Sequence, residues 1–326
     1  MSQVEPPHAF QHIPVMRDEI VDVLGSVPVG IVVDATVGGG GHAAALLSGR
    51  PDLCLLGIDR DGDALDAARS RLSDFGDRVA LRRARFDAMN TAVGAAIAEG
   101  GETWRGHEVT AVLFDLGVSS PQLDRPSRGF SYRAAGPLDM RMDPAQRLSA
   151  DDVVNSYAEQ PLAAIFRENG EGRYAGRIAR AIIAARPVGD TAELAEIIRD
   201  AIPAPARRRG GHPAKRVFQA IRIEVNAEID ILEPSLRAAM DLLAPGGRLA
   251  VLTYHSGEDR VVKAAFVEAA TGGCTCPPGF PCVCGADPQF RLVFRGSRTP
   301  SATEQETNPR AESARLRVIE RLGAPS

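Results

Sequence analysis

Ile31-Val-Val-Asp-Ala-Thr-Val-Gly-Gly-Gly-Gly-His42, followed by Leu55-Leu-Gly-Ile-Asp-Arg-Asp61, reads as strand, glycine loop, helix, strand and acid. Glycines at 38–41 let the backbone take positive φ and approach a ligand closely. The helix that follows offers unpaired N–H groups at its start. An acid at the tip of the next strand can accept hydrogen bonds from ribose hydroxyls. The stretch therefore describes a nucleotide pocket, and the question it leaves is which nucleotide.

Gly38, Gly40 and Ala43 satisfy G-x-G-x-x-G/A, and Asp59 lies 18 residues beyond Gly41, so a dinucleotide is permitted. Three details point instead to S-adenosylmethionine (SAM), which has a ribose and an adenine but no pyrophosphate. Asp34, four residues before the loop, could face a cationic amino-acid moiety. The third glycine of the dinucleotide pattern is only an alanine, and a further acid, Asp115, ends a later strand.

The chain has 326 residues, 44% hydrophobic and 25% charged, a normal globular mixture with room for one large domain or two ordinary ones. No apolar run approaches the ~18–20 residues of a membrane span, and the N-terminus lacks a signal-peptide pattern, so a cytoplasmic protein without membrane association is expected. Five cysteines, one isolated at Cys54 and four between 274 and 284, make no disulfide framework. The net charge of −4 gives no general pull on nucleic acid. Local charge does: residues 201–223 contain no acid, while Arg207, Arg208, Arg209, Lys215, Arg216 and Arg222 supply six positive charges beside Gly210 and Gly211. Such a segment suits phosphate contacts.

Around the opening stretch, strands are expected at about 30–34, 53–59, 79–86 and 109–115, with helices at about 43–47, 63–72 and 91–99 between them. Four βα units in about 90 residues make a doubly wound sheet. From about 122 to 222 no strong strand is legible, only helices. Ser149 with Asp152 makes a capping box, a helix over 173–186 ends at Pro187, and Asp190 with Glu193 opens another that stops before Pro203. The α/β pattern resumes with one helix over about 215–239, a turn at 244–247, a strand over 248–255 and a helix over 258–270. Segments 290–294 and 314–322 alternate as a helix-free terminal hairpin, the way SAM-dependent methyltransferase sheets close. The expected fold is thus a Rossmann-like α/β methyltransferase sheet with an antiparallel terminal hairpin and an inserted all-helical domain. The sheet domain takes residues 1–122 and 215–326, and the insertion, read as the RNA-recognition domain, takes 123–214.

The motifs His12-Ile-Pro-Val15, the 38–42 loop, Phe114-Asp-Leu-Gly-Val-Ser-Ser-Pro-Gln-Leu-Asp124, Pro137-Leu-Asp-Met-Arg-Met-Asp143, Glu168-Asn-Gly-Glu-Gly172, residues 212–226, Tyr254-His-Ser-Gly-Glu-Asp-Arg260 and Asn308-Pro-Arg-Ala311 occur in order over residues 8–322. Together they resemble the RsmH (MraW) family of SAM-dependent methyltransferases of small-subunit ribosomal RNA. The resemblance implies methylation of the exocyclic N4 amine of a cytosine in the decoding region of 16S rRNA, near the P site, with the small ribosomal subunit as partner. Oligomeric state is left open, a homodimer included. Carried over by motif position, the SAM contacts are Gly40, Gly41 and His42, Asp59 at the ribose, Phe86 near the adenine, and Asp115 and Gln122 at the mouth.

A cytosine amine is a poor nucleophile because its lone pair is delocalised, and an acceptor aimed at its N–H hydrogens favours the reactive pyramidal form. Asp115 is the leading catalytic residue, with Asp139 and His255 as further candidates for the proton. Where many amine methyltransferases carry Asn/Asp-Pro-Pro-aromatic, this chain has Asp115-Leu-Gly-Val, so the base-stacking aromatic is one of Phe130, Tyr132 or Tyr254. Cys274, Cys276, Cys282 and Cys284 could form a small tetrahedral zinc site. Their C-x-C spacing is tighter than the usual knuckle, which favours free thiols in a loop and no metal.

Overall fold

The computed structural model describes residues 14–170, 172–207, 212–277 and 283–323. Arg208, Arg209 and Cys282 from the sequence reading lie outside the described residues, and the side chain of Arg207 is not described.

Seven strands form one sheet: β1 (Ile31–Asp34), β2 (Cys54–Asp59), β3 (Val79–Arg83), β4 (Val109–Asp115), β5 (Leu243–Thr253), β6 (Phe290–Leu292) and β7 (Arg315–Arg321). Their order is β3-β2-β1-β4-β5-β7-β6. The first five run parallel, and β7 pairs antiparallel with both β5 and β6. This is the doubly wound sheet with an antiparallel terminal hairpin expected from the sequence. Both faces of the central strands are covered, so their side chains read as continuous apolar runs. On β4, Val112 and Phe114 enter one hydrophobic cluster while Ala111 and Leu113 enter the other. β1 divides the same way, with Ile31 and Val33 facing one cluster and Val32 the other.

A third cluster is built mainly from helices, with Phe130, Leu138, Met140 and Met142 added from the connecting segments. It unites Val153 and Val154 of helix Ala150–Ser156, Phe166 of helix Glu159–Asn169, Ile178 and Ile182 of helix Ala175–Ala185, and Leu194 and Ile198 of helix Thr191–Ala201. The capping box closes at Ser149 and Asp152, and the Asp190 carboxylate caps Thr191–Ala201 by accepting from the Glu193 N–H. Val217, Phe218 and Ile221 of helix Ala214–Asn226 also bury themselves here, so the packing continues past residue 214 to Val225.

Two expectations are corrected. The single helix over 215–239 is two, Ala214–Asn226 and Leu232–Leu242, because Ala227 turns left-handed (φ 50°) and its N–H bonds back to Glu224 and Ile223 carbonyls. Pro234 in the first turn of the second helix is the sequence signal for that break, and a buried ion pair at Glu228, described below, spans it. The terminal hairpin is not helix-free either: its connection carries helix Ala302–Thr307, capped by Ser301, and Glu304 on it accepts from the Met16 N–H at 2.7 Å. Among the described residues no helix is long and apolar enough to cross a membrane.

Candidate active site at the strand switch point

After β3 the chain returns to lay β4 beside β1, so the crossovers diverge between these two strands and open a crevice at their carboxyl ends. Asp34 ends β1 and Asp115 ends β4. The glycine loop rises from β1, with Gly38 at φ 50° and Gly40 at φ 74°, conformations that favour glycine. Its shape is fixed from the next strand: Asp59 Oδ2 accepts from the Gly38 N–H at 2.9 Å and Oδ1 from the Asp61 N–H at 2.9 Å. Burial pushes the Asp59 carboxyl up, partly offset by these two bonds. The glycines divide by role. A Cβ on Gly40 would meet Leu72 at 3.2 Å and one on Gly41 would meet Pro14 at 2.4 Å, so both face protein, whereas Gly38 and Gly39 have nothing closer than 3.9 Å. Close approach of a ligand is therefore available at Gly38 and Gly39 rather than at the side-chain faces of Gly40 and Gly41.

Asp115 is held on one side and faces His42 on the other. The Tyr254 hydroxyl donates to Oδ1 at 2.6 Å, and His42 Nε2 lies 3.5 Å from Oδ2. Its backbone N–H donates to Thr36 Oγ1 at 2.7 Å, tying β4 to the loop after β1. Burial, then the negative charge of Asp115, holds the Tyr254 hydroxyl well above its ordinary value, so it remains a donor at neutral pH. His42 is buried, and neither ring nitrogen has a hydrogen-bond partner among the described residues. Asp34 is 3% exposed and accepts from the Thr36 N–H at 3.2 Å; burial pushes its carboxyl up to about 7, with Asp115 and Asp59 adding to the effect and His42 opposing it. Sequence reasoning found these acids but missed Tyr254 as a hydrogen-bond donor, since its partner is 139 residues away.

His255 has a structural task. Its Nδ1 accepts from the Gly257 N–H at 3.1 Å as the N-cap of helix Ser256–Thr271, and buried Glu258 returns by accepting from the Tyr254 and His255 N–H groups. With Nδ1 committed and Nε2 3.2 Å from Glu258 Oε1, the ring is turned to the helix end. Asp139 is likewise engaged: Arg141 grips it through Nε at 2.8 Å and Nη2 at 3.0 Å. Burial raises that carboxyl, but the Arg141 bonds outweigh burial and leave it below the usual range.

Gln122 joins the mouth of the crevice to the end of β2. Its Nε2 donates to Asp61 Oδ2 at 3.0 Å, where Arg128 also pairs at 2.9 Å, and its Oε1 accepts from the Ser119 N–H. Phe86 sits 9% exposed after β3, edge-on to Phe114 with centroids 5.4 Å apart, as a wall of the core beneath the crevice. Asn226 was not singled out by sequence, yet it is buried and accepts from the Met142 N–H at 2.9 Å while donating to the Met140 carbonyl at 2.8 Å. Arg60 beside Asp59 donates to the Asn226 carbonyl, so one asparagine links the sheet edge to the helical cluster.

The described residues of the basic segment lie in different surroundings. Lys215 and Arg216 are exposed. Arg222 is not a free cation for phosphate: it makes a bidentate pair with Glu228, both bonds 2.8 Å, with 14% and 8% side-chain exposure. Burial lowers the guanidinium pKa, but Glu228 and Glu258 outweigh that and hold it raised. Of the three stacking candidates, Phe130 is buried in the helical core and Tyr254 is bound to Asp115. Tyr132 stacks on His212 at 4.6 Å beside Arg133 and Lys215 in a surface pocket. Away from the crevice, the sulfurs of Cys274, Cys276 and Cys284 lie within 4.8 Å of one another.

The sequence profile of the MraW methylase family matches residues 9–322. Similar relatives include "Ribosomal RNA small subunit methyltransferase H" of Heliobacterium modesticaldum, 49% identical over 96% of this chain and 99% of that protein. Proteins of the same name are found in Mycolicibacterium gilvum (50% identical over 96% of this chain and 83% of that protein) and in Mycobacterium tuberculosis strain H37Ra (48% over 97% and 81%). With a glycine loop and two strand-end acids gathered at the switch point, and with this likeness running nearly end to end, the chain belongs to the MraW methylase family.

Proposed function

We propose that this chain transfers a methyl group from SAM to the exocyclic N4 amine of a decoding-region (P-site) cytosine of 16S rRNA, acting on the small ribosomal subunit. The observation that carries the reading is Asp115 at the crevice, with Oδ1 occupied by Tyr254 and Oδ2 turned toward His42. The names of relatives about 49% identical supply the substrate class.

The residues fit the donor. Gly38 and Gly39 leave room for close approach, Asp59 is an acceptor at the tip of β2, and His42 has two buried nitrogens without partners among the described residues. Asp34 supports recognition of the positively charged end of the methionine moiety, since an adjacent cation would favour its ionised form. SAM supplies an electrophilic methyl carbon on a sulfonium. The chain's task is to hold the cytosine nitrogen in line with that carbon and near contact. As the N–C bond forms and the C–S bond breaks, an amine proton must leave. Asp115 Oδ2 is the acceptor for it, while Tyr254 keeps the carboxylate from rotating. The products are the N4-methylated base, S-adenosylhomocysteine and a proton.

The target base lies in folded RNA and has to be splayed out to react. The helical cluster with residues 207–216 is the proposed RNA-recognition region. Truncating Arg207, Arg208 and Arg209 should weaken RNA binding and flatten its salt dependence, the log–log slope falling by about one for each phosphate no longer paired, with SAM affinity unchanged.

Nucleoside mass spectrometry of 16S rRNA from cells with and without the gene tests the reading, and loss of one N4-methylcytidine is the expected result. An unchanged nucleoside profile, or thermal stabilisation by NAD and not by SAM, would refute it. Asp115→Ala should abolish transfer; intact turnover with SAM binding unchanged would remove Asp115 from its role.

A further inference from the structure

Helix Ser256–Thr271 ends on Gly272 at φ 59°, and the returning chain passes directly against it. A Cβ there would meet the Asp287 carbonyl carbon and the Pro288 nitrogen at 2.8 Å each. Two further bonds fix the outgoing limb: the Gly273 N–H to the Glu268 carbonyl and the Cys274 N–H to the Thr271 carbonyl, both at 3.1 Å. The loop between the last long helix and β6 is therefore closed at its neck, which returns Cys284 to Cys274. Their sulfurs are 3.6 Å apart, and the Val283 N–H donates to Cys276 Sγ at 3.4 Å.

We propose that Cys274, Cys276 and Cys284 bind one zinc ion as thiolates. Two sulfurs on a tetrahedral zinc with bonds of about 2.3 Å lie ~3.8 Å apart, which the 3.6 Å contact matches. A disulfide would need about 2.05 Å. The Val283 N–H is aimed at Cys276 Sγ, a contact that suits a sulfur carrying negative charge. Thiolate donors select zinc over magnesium or calcium, which prefer oxygen. The fourth position is open to another donor, water included.

The loop gives the ion a reason to be there. None of the three cysteines belongs to a hydrophobic cluster of the fold. A metal cross-link would tie these three residues together where the clusters do not reach them. Zinc binding releases the thiol protons, so affinity should fall steeply in acid.

Elemental analysis of the full chain, untagged and purified without chelator, should give about one zinc per chain. Cys276→Ser and Cys284→Ser should each reduce this to below about 0.2, with circular dichroism and the main unfolding transition unchanged because the site lies outside the three cores. Cobalt added to the stripped protein should produce an intense sulfur-to-metal charge-transfer band that the serine variants lack. Zinc below about 0.2 per chain with thiols freely reactive would overturn the proposal. So would a mass two hydrogens short, reporting a disulfide, or full zinc retained in both serine variants.

Discussion

Asp34→Asn should stabilise the ligand-free protein above neutral pH while weakening its hold on the methyl donor. Asp34 is 3% exposed at the end of β1. Burial is the chief reason its carboxyl rises from 3.8 to about 7; Asp115 and Asp59 push the same way, and His42 and the Thr36 N–H pull against them. A carboxyl raised on folding binds its proton more tightly in the native chain than in the unfolded one. Between about pH 4 and pH 7 the native state therefore carries the extra proton, and stability falls as pH rises through that window. The penalty is absent in acid and complete above about pH 7. The gap from 3.8 to about 7 corresponds to about 4 kcal/mol at about 1.4 kcal/mol per pH unit. Water entry and relaxation reduce this, so a gain of about 2–4 kcal/mol is expected for asparagine, which keeps the shape and an acceptor for Thr36. Urea unfolding of both proteins at pH 5 and pH 8.5 measures it. The difference at pH 5 should be about one third of that at pH 8.5, because pH 5 lies inside the window over which the penalty develops, while calorimetric titration with SAM should show at least about tenfold weaker binding by the variant. A stability difference independent of pH would refute the assignment of the raised carboxyl to Asp34, and unchanged SAM affinity would refute its role toward the cation.

Tyr254→Phe removes the bond to Asp115 Oδ1; a hydrogen bond to a charged group is worth about 1.5–3 kcal/mol, so single-turnover methyl transfer should slow about 10- to 150-fold with SAM affinity nearly unchanged. Equal rates for the two proteins would show that Tyr254 does not position the carboxylate. Arg222→Ala leaves Glu228 buried without its partner and should cost about 3–5 kcal/mol in denaturant unfolding; a loss of RNA affinity with normal stability would contradict the ion-pair role. Gly40→Ala forces a Cβ onto a residue at φ 74° facing Leu72 at 3.2 Å. Destabilisation by about 1–2 kcal/mol together with weaker SAM binding is expected, and a neutral thermal melt would show that the loop has another conformation.

The sequence determined the parts of this protein that depend on neighbouring residues. Apolar runs at β1, β2 and β4, each ending in an acid, announce strands buried on both faces with chemistry at their tips, because hydrophobic burial and the carboxyl-edge crevice follow from local pattern and strand polarity. The caps at Ser149 and Asp190 were legible for the same reason, since a cap and its partner lie three residues apart. The sequence could name His255 and Arg222 but not their duties. A histidine beside an acid or an arginine in a basic stretch has no fixed role until its partner is in space, and here the partners are a helix end and Glu228. The tertiary structure alone decided that Tyr254 locks Asp115 across 139 residues, that Asn226 joins sheet to helical cluster, and that three cysteines converge. Hydrogen bonds act over about 3 Å of space and not over sequence, so contacts between distant segments become visible only once packing has set the distances.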